Sequence, residues 1–124
     1  MKNFLLAFAV LFSVNVIAQN VADVKFDKSK HNFGKIKKGV PVSVVFTFTN
    51  ASAKPLIVET ATAECGCTTP EYSKPPVPKA KTGTVKATFN AANVGQFTKR
   101  VTVKFANITQ PIILTIEGEV VESK

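Results

Sequence analysis

Two cysteines one residue apart, Cys65-Gly66-Cys67, are the place in this chain where residue type and spacing can do chemistry. A disulfide between them needs their alpha carbons within about 4.4–6.8 Å, so the backbone must fold sharply at Gly66, the residue that permits it. The ring closed would be tiny. Its entropic stabilisation is then small and any strain eases reduction, so the pair is a poor staple and a candidate for thiol–disulfide exchange. Two thiolates at this spacing can instead chelate a soft ion, Cu(I) or Zn, if other ligands join them. His31, the single histidine, and Glu64, the nearest carboxylate, are the groups on offer. A local bridge or inert pair, a redox pair, a metal site and an intermolecular bond all stay open at this point. His31 alone reads as a surface or loop hydrogen-bonder.

Other chemistry is absent from the sequence. One histidine gives at best one imidazole base, and there is no Gly-x-Ser-x-Gly elbow, phosphate loop or two-histidine metal motif. Glu117 and Glu119 share one strand face and read as solvated polar positions. The expectation is a protein that is not an enzyme and carries no cofactor. Asn50-Ala51-Ser52 and Asn107-Ile108-Thr109 match the glycosylation tripeptide, which matters only in a eukaryotic secretory route.

The elements that must hold the cysteines follow a leader. Lys2, the apolar run from Phe4 to Val14, and Val16-Ile17-Ala18 make residues 1–18 a signal peptide with cleavage after Ala18. Asn15 and Gln19 interrupt the run before it reaches the roughly 18 to 20 apolar residues that span a bilayer, so no stable membrane insertion is expected. The mature chain, Gln19 to Lys124, is then one domain in a secreted or periplasmic location. Lys2 leaves with the leader, so fifteen of sixteen basic residues face eight acidic ones. That surplus reads first as solvated strand faces and otherwise as attraction to an anionic partner, a protein, envelope polymer or phospholipid head group rather than nucleic acid, because the lysines are not interleaved with exposed aromatics. Oligomeric state is not encoded legibly.

Seven phenylalanines in the mature chain, each able to bury about 150–250 Å², can hold a domain of this size without disulfides. Strand periodicity is clearest in Pro41 to Asn50, where Val42, Val44, Phe46 and Phe48 share a face. It recurs in Val24–Asp27, Leu56–Ala63, Gly83–Asn90 (Val85, Ala87, Phe89), Phe97–Phe105 (with Val101 and Val103) and Ile112–Gly118, while His31–Gly34 reads as a turn before a short piece ending at Ile36. Pro70, Pro75, Pro76 and Pro78 make Thr68–Thr82 a long loop, with Thr68, Tyr72 and Lys74 as candidate partner contacts and the Tyr72 hydroxyl outward. No window has helical spacing beyond the leader. About seven short strands with regular turns predict an all-β, immunoglobulin-like sandwich; an antibody-type domain is excluded by the absence of tryptophan and by cysteines too close to bridge two sheets.

His31-Asn32-Phe33-Gly34-Lys35-Ile36, Gly39, Phe46-Thr47-Phe48-Thr49-Asn50, Pro55-Leu56, Cys65-Gly66-Cys67-Thr68, Phe97, Val101, Val103, Asn107 and Gly118 resemble the secreted bacterial "domain of unknown function 1573" family. The resemblance covers essentially the whole mature chain. It implies an exported immunoglobulin-like sandwich similar to major-sperm-protein and spindle or ciliary repeat domains, and brings no established activity. Where that family's pattern has a Pro-Gly turn before the strand at Thr84, this chain has Pro78-Lys79-Ala80. Function therefore rests on two readings: a non-enzymatic binding or structural module of the envelope, or a thiol or soft-metal module centred on Cys65 and Cys67.

Overall fold

A computed structural model of the chain describes residues 21–122; the expected leader lies outside them. After one 3-10 turn, Val21–Asp23, the strands are β1 (Val24–Phe26), β2 (Lys30–Lys37), β3 (Val42–Asn50), β4 (Val58–Ala63), β5 (Thr68–Tyr72), β6 (Thr82–Phe89), β7 (Gly95–Phe105) and β8 (Ile112–Val121). They form two four-stranded sheets, in the orders β1-β3-β6-β5 and β2-β8-β7-β4. The architecture is the immunoglobulin-like sandwich that the alternation implies.

That alternation builds the core directly. Phe46, Phe48, Val85 and Ala87 from one sheet meet Val103 and Leu114 from the other, all with no exposed surface. Aromatic rings gather at the two ends of this core. Phe26, Phe48 and Phe105 pack with centroids 5.1–6.4 Å apart near one end, while Phe89 stacks on Phe97 at 4.0 Å near the other, with Phe33 beside it. Burial on this scale, about 25 cal/mol per Å² of apolar surface, makes the core the dominant source of stability.

β1 and β2 are nearly continuous in sequence but sit in different sheets, so the first strands stitch the two layers together along one side. β1 pairs antiparallel with β3, and β2 runs parallel to β8. The segment expected to turn at His31–Gly34 is one strand with a bulge between Asn32 and Lys35. Gly34 takes φ +71° there, and its N–H donates to Asn32 Oδ1 at 2.7 Å, which fixes the kink without ending the strand. Gly118 opposite lets β8 approach, since a Cβ on it would lie 2.9 Å from the Gly34 carbonyl oxygen.

There are eight strands rather than seven, and the addition is β5. The segment starting at Thr68 was expected to be loop because of its prolines, yet Thr68–Tyr72 pairs with β6. β5 is the edge of its sheet, where a proline removes no needed ladder bond. The true connection shrinks to residues 73–81, anchored by reciprocal backbone bonds between Leu56 and Val77 (2.9 and 2.8 Å). Leu56 itself forms only this isolated bridge, so β4 begins two residues later than the alternation suggests. At the other end β8 runs through Gly118 to Val121.

Candidate functional site

Cys65-Gly66-Cys67 is the crossover from β4 to β5, the edge strands of opposite sheets on the side away from β1 and β2. The chain must reverse here to change sheets. Thr68 N–H donates to the Cys65 carbonyl at 3.4 Å and Asn90 N–H to the Cys67 carbonyl at 2.9 Å, so hydrogen bonds hold the turn at both ends. Its base is held too: Glu64 N–H donates to the Arg100 carbonyl, and the Arg100 N–H donates to Glu64 Oε1 at 3.0 Å. In that frame the two sulfurs are joined in a disulfide with alpha carbons 5.3 Å apart. Gly66 takes no positive φ, and a Cβ on it would meet nothing within 4 Å, so the turn does not depend on glycine for space.

A depression of about 260 Å³ opens beside Cys67, lined among others by the Phe89–Phe97 stack, Asn90, Gln96 and Lys99. Lys99 went unnoticed in the sequence, although the signal was present. The inward row of β7, Phe97-Lys99-Val101-Val103-Phe105, is apolar except at that position. Ala63 pairs with Val101 and the Glu64 N–H bonds the Arg100 carbonyl, so the register extrapolated one residue further sets Lys99 opposite Cys65, while Lys99 shares the depression itself with Cys67. Among the described residues Lys99 has no ion-pair partner.

The other expected site residues are dispersed. His31 lies on β2 and Cys65 follows β4, at opposite edges of a four-stranded sheet. Three strand spacings put them about 14 Å apart, so His31 cannot complete a metal set with Cys65 and Cys67. His31 instead packs edge-on against Phe33 at 4.7 Å and lies 3.3 Å from the Lys28 ammonium. No group of three metal-ligating residues exists among the described residues. Thr68, one of the candidate partner contacts, is only 4% exposed and faces the core, which removes it from any partner surface. Tyr72 is half-buried and directs its hydroxyl not outward but to the Glu59 carbonyl at 3.4 Å, tying β5 to β4; Lys74 lies over its ring at 4.0 Å. Asn50 of the first glycosylation tripeptide is buried and fully hydrogen-bonded, closed to any glycan.

Two four-stranded sheets packed face to face, with the chain changing layers at the cysteine turn, make an immunoglobulin-like sandwich. The chain belongs to the family described as "Protein of unknown function (DUF1573)", whose model matches residues 24–120. Among solved structures it is similar to a protein of unknown function from Porphyromonas gingivalis W83 (TM-score 0.69, 12% identity, 87% of this chain and 50% of that one). It is likewise similar to PapD-like domain 7 of human CEP192 (TM-score 0.69, 9% identity, 82% and 87%). A third likeness is to the VesB protease of Vibrio cholerae (TM-score 0.63, 18% identity, 78% and 32%). The chain thus spans half of the Porphyromonas protein and about a third of the protease, and at these identities the likeness is one of fold. No curated protein matches it in sequence.

Proposed function

We propose that this chain is a non-enzymatic, exported module of the cell envelope that takes an extended, acidic segment of a partner protein onto an open sheet edge. The observation that carries the reading is the uncovered half of β3. β1 pairs with β3 only from Phe48 to Asn50, and Asp27 then closes Thr47 by donating its N–H to the Thr47 carbonyl (2.8 Å) and accepting the Thr47 N–H on Oδ1 (3.0 Å). Beyond that the chain leaves for the other sheet. Residues 42–46 of β3 pair with β6 on one side and have no strand on the other.

Antiparallel ladders alternate, so Ser43 and Val45, which share the parity of Thr47, aim their N–H and C=O groups at this empty side. Such an edge is a template for an added strand. Val45 and Val40 are 46% and 52% exposed beside it, offering apolar contact. Lys25 on β1 and Lys37 on β2, the strands along this side, have no ion pair among the described residues, which favours a segment bearing carboxylates.

The test uses the mature protein with a photo-crosslinking residue at position 40, exposed to envelope extract, and the same protein carrying Val45→Pro. Proline at 45 removes an outward N–H and spares the bonds to β6, so the fold survives. The reading expects one acidic extended segment crosslinked by the parent and lost in V45P at unchanged melting temperature, with the double Cys65→Ser, Cys67→Ser variant still capturing it. Equal capture by V45P contradicts it.

A further inference from the structure

We infer that Cys65 and Cys67 form a thiol–disulfide exchange site in which Cys67 is the attacked sulfur and Lys99 the cation that stabilises the departing Cys65 thiolate. Three features support it. The turn is held by backbone bonds from Thr68 and Asn90, and by the Glu64–Arg100 pair, none of which involves sulfur. The two thiols of the reduced form therefore stay close, and closure remains rapid and reversible, as effective concentration requires. Next, Cys67 and not Cys65 lines the depression of about 260 Å³, so a thiol entering there meets Cys67. Finally, Lys99 is the one cation in an otherwise apolar inward row, is half-buried at the depression that Cys67 lines, stands opposite Cys65 when the β4–β7 register is extrapolated, and has no carboxylate partner among the described residues, so a thiolate formed at the pair is the anion it can meet.

The substrate class is a low-molecular-weight thiol or an exposed cysteine on an extended peptide. Its thiolate attacks Cys67 Sγ, the sulfur–sulfur bond breaks, and the bonding pair leaves on Cys65 Sγ as a thiolate next to the Lys99 ammonium. A second substrate thiolate then attacks the mixed disulfide at the substrate sulfur, releasing Cys67 as thiolate. Two substrate thiols have become one disulfide, the protein pair has gained two electrons, and the protons lost by the substrate thiols end on Cys65 and Cys67. Thr68 Oγ1, 3.7 Å from Cys67 Sγ, is placed to donate to the Cys67 thiolate. The site is on the β4/β5 side of the sandwich and the open half of β3 on the β1/β2 side, so the two readings fail separately.

The test incubates the mature protein with reduced glutathione, quenches with an alkylating reagent and maps the adducts by mass spectrometry. The inference expects glutathione on Cys67 with alkylated Cys65. It also expects Lys99→Gln to slow reduction by roughly three- to tenfold and to raise the pH at which the reduced pair ionises, followed by thiolate absorbance, with Lys99→Arg restoring both. A merely structural lysine would leave that ionisation unmoved. Adducts mainly on Cys65, resistance to millimolar glutathione, or identical rates and ionisation in K99Q would each overturn it.

Discussion

Asn50 Nδ2 donates to the Val77 carbonyl at 2.9 Å across the end of the sandwich. The same nitrogen donates to the Lys54 carbonyl at 2.7 Å, while Oδ1 accepts both the N–H and the hydroxyl of Ser52 at 2.8 Å. One buried amide thus uses both donors and both lone pairs to bind the end of β3 to the two loops that follow it. Every arm is satisfied. Asn50→Ala removes both amide bonds and leaves the Ser52 N–H without its acceptor, while the Val77 carbonyl keeps the Leu56 N–H and the Lys54 carbonyl keeps the Ser52 hydroxyl; it should destabilise by about 1–3 kcal/mol, read from the urea midpoint at constant slope. Asn50→Asp, which keeps the acceptor and loses both donors, should fall short of wild type by a similar amount.

Ala80 occupies φ +66° at the third position of a turn closed by the Lys81 N–H to the Pro78 carbonyl, 3.0 Å. Here, where the resemblance implies a Pro-Gly turn, this chain places an alanine in the left-handed region that glycine adopts without strain. An alanine in the left-handed region costs about 1–2 kcal/mol, and glycine's extra unfolded entropy returns about half of that. Ala80→Gly should therefore raise stability by roughly 0.5–1 kcal/mol, measured as an upward shift of the melting temperature. A lower melting temperature would mean that the turn is not strained.

The disulfide closes a ring with a sequence separation of two. The chain-entropy estimate for so short a loop is on the order of 1.5 kcal/mol, about half that of a fifteen-residue loop. Replacing Cys65 and Cys67 together by serine should cost no more than this and leave the far-ultraviolet spectrum unchanged, because the phenylalanine core and the backbone bonds of the turn carry the fold. A loss of cooperative unfolding would show that the bridge is a structural requirement.

The fold was legible where one face of a strand is buried and the other wet. Val42–Phe48, Val85–Phe89 and Val101–Phe105 announce their inward residues, and each of these rows is inward in the structure. Legibility failed where edges and sheet changes relax that rule. Pro70 looks like a strand breaker until β5 proves to be an edge. Gly34 looks like a turn until a parallel partner, β8, carries the strand through a bulge. At the candidate site the cysteine pair was visible, but its groove was not, since Phe89, Gln96 and Lys99 come from other strands. The open half of β3 was invisible for a related reason: it depends on where β1 stops, which is set by Asp27 bonding to Thr47 and not by any pattern within β3.

The direct test of the open edge is amide hydrogen exchange along β3. In the free protein Val44 and Phe46, bonded to β6, should exchange slowly, and Ser43 and Val45 quickly; on the captured segment all four should become slow. Slow exchange at Ser43 and Val45 in the free protein, or no change there in the complex, would contradict the account.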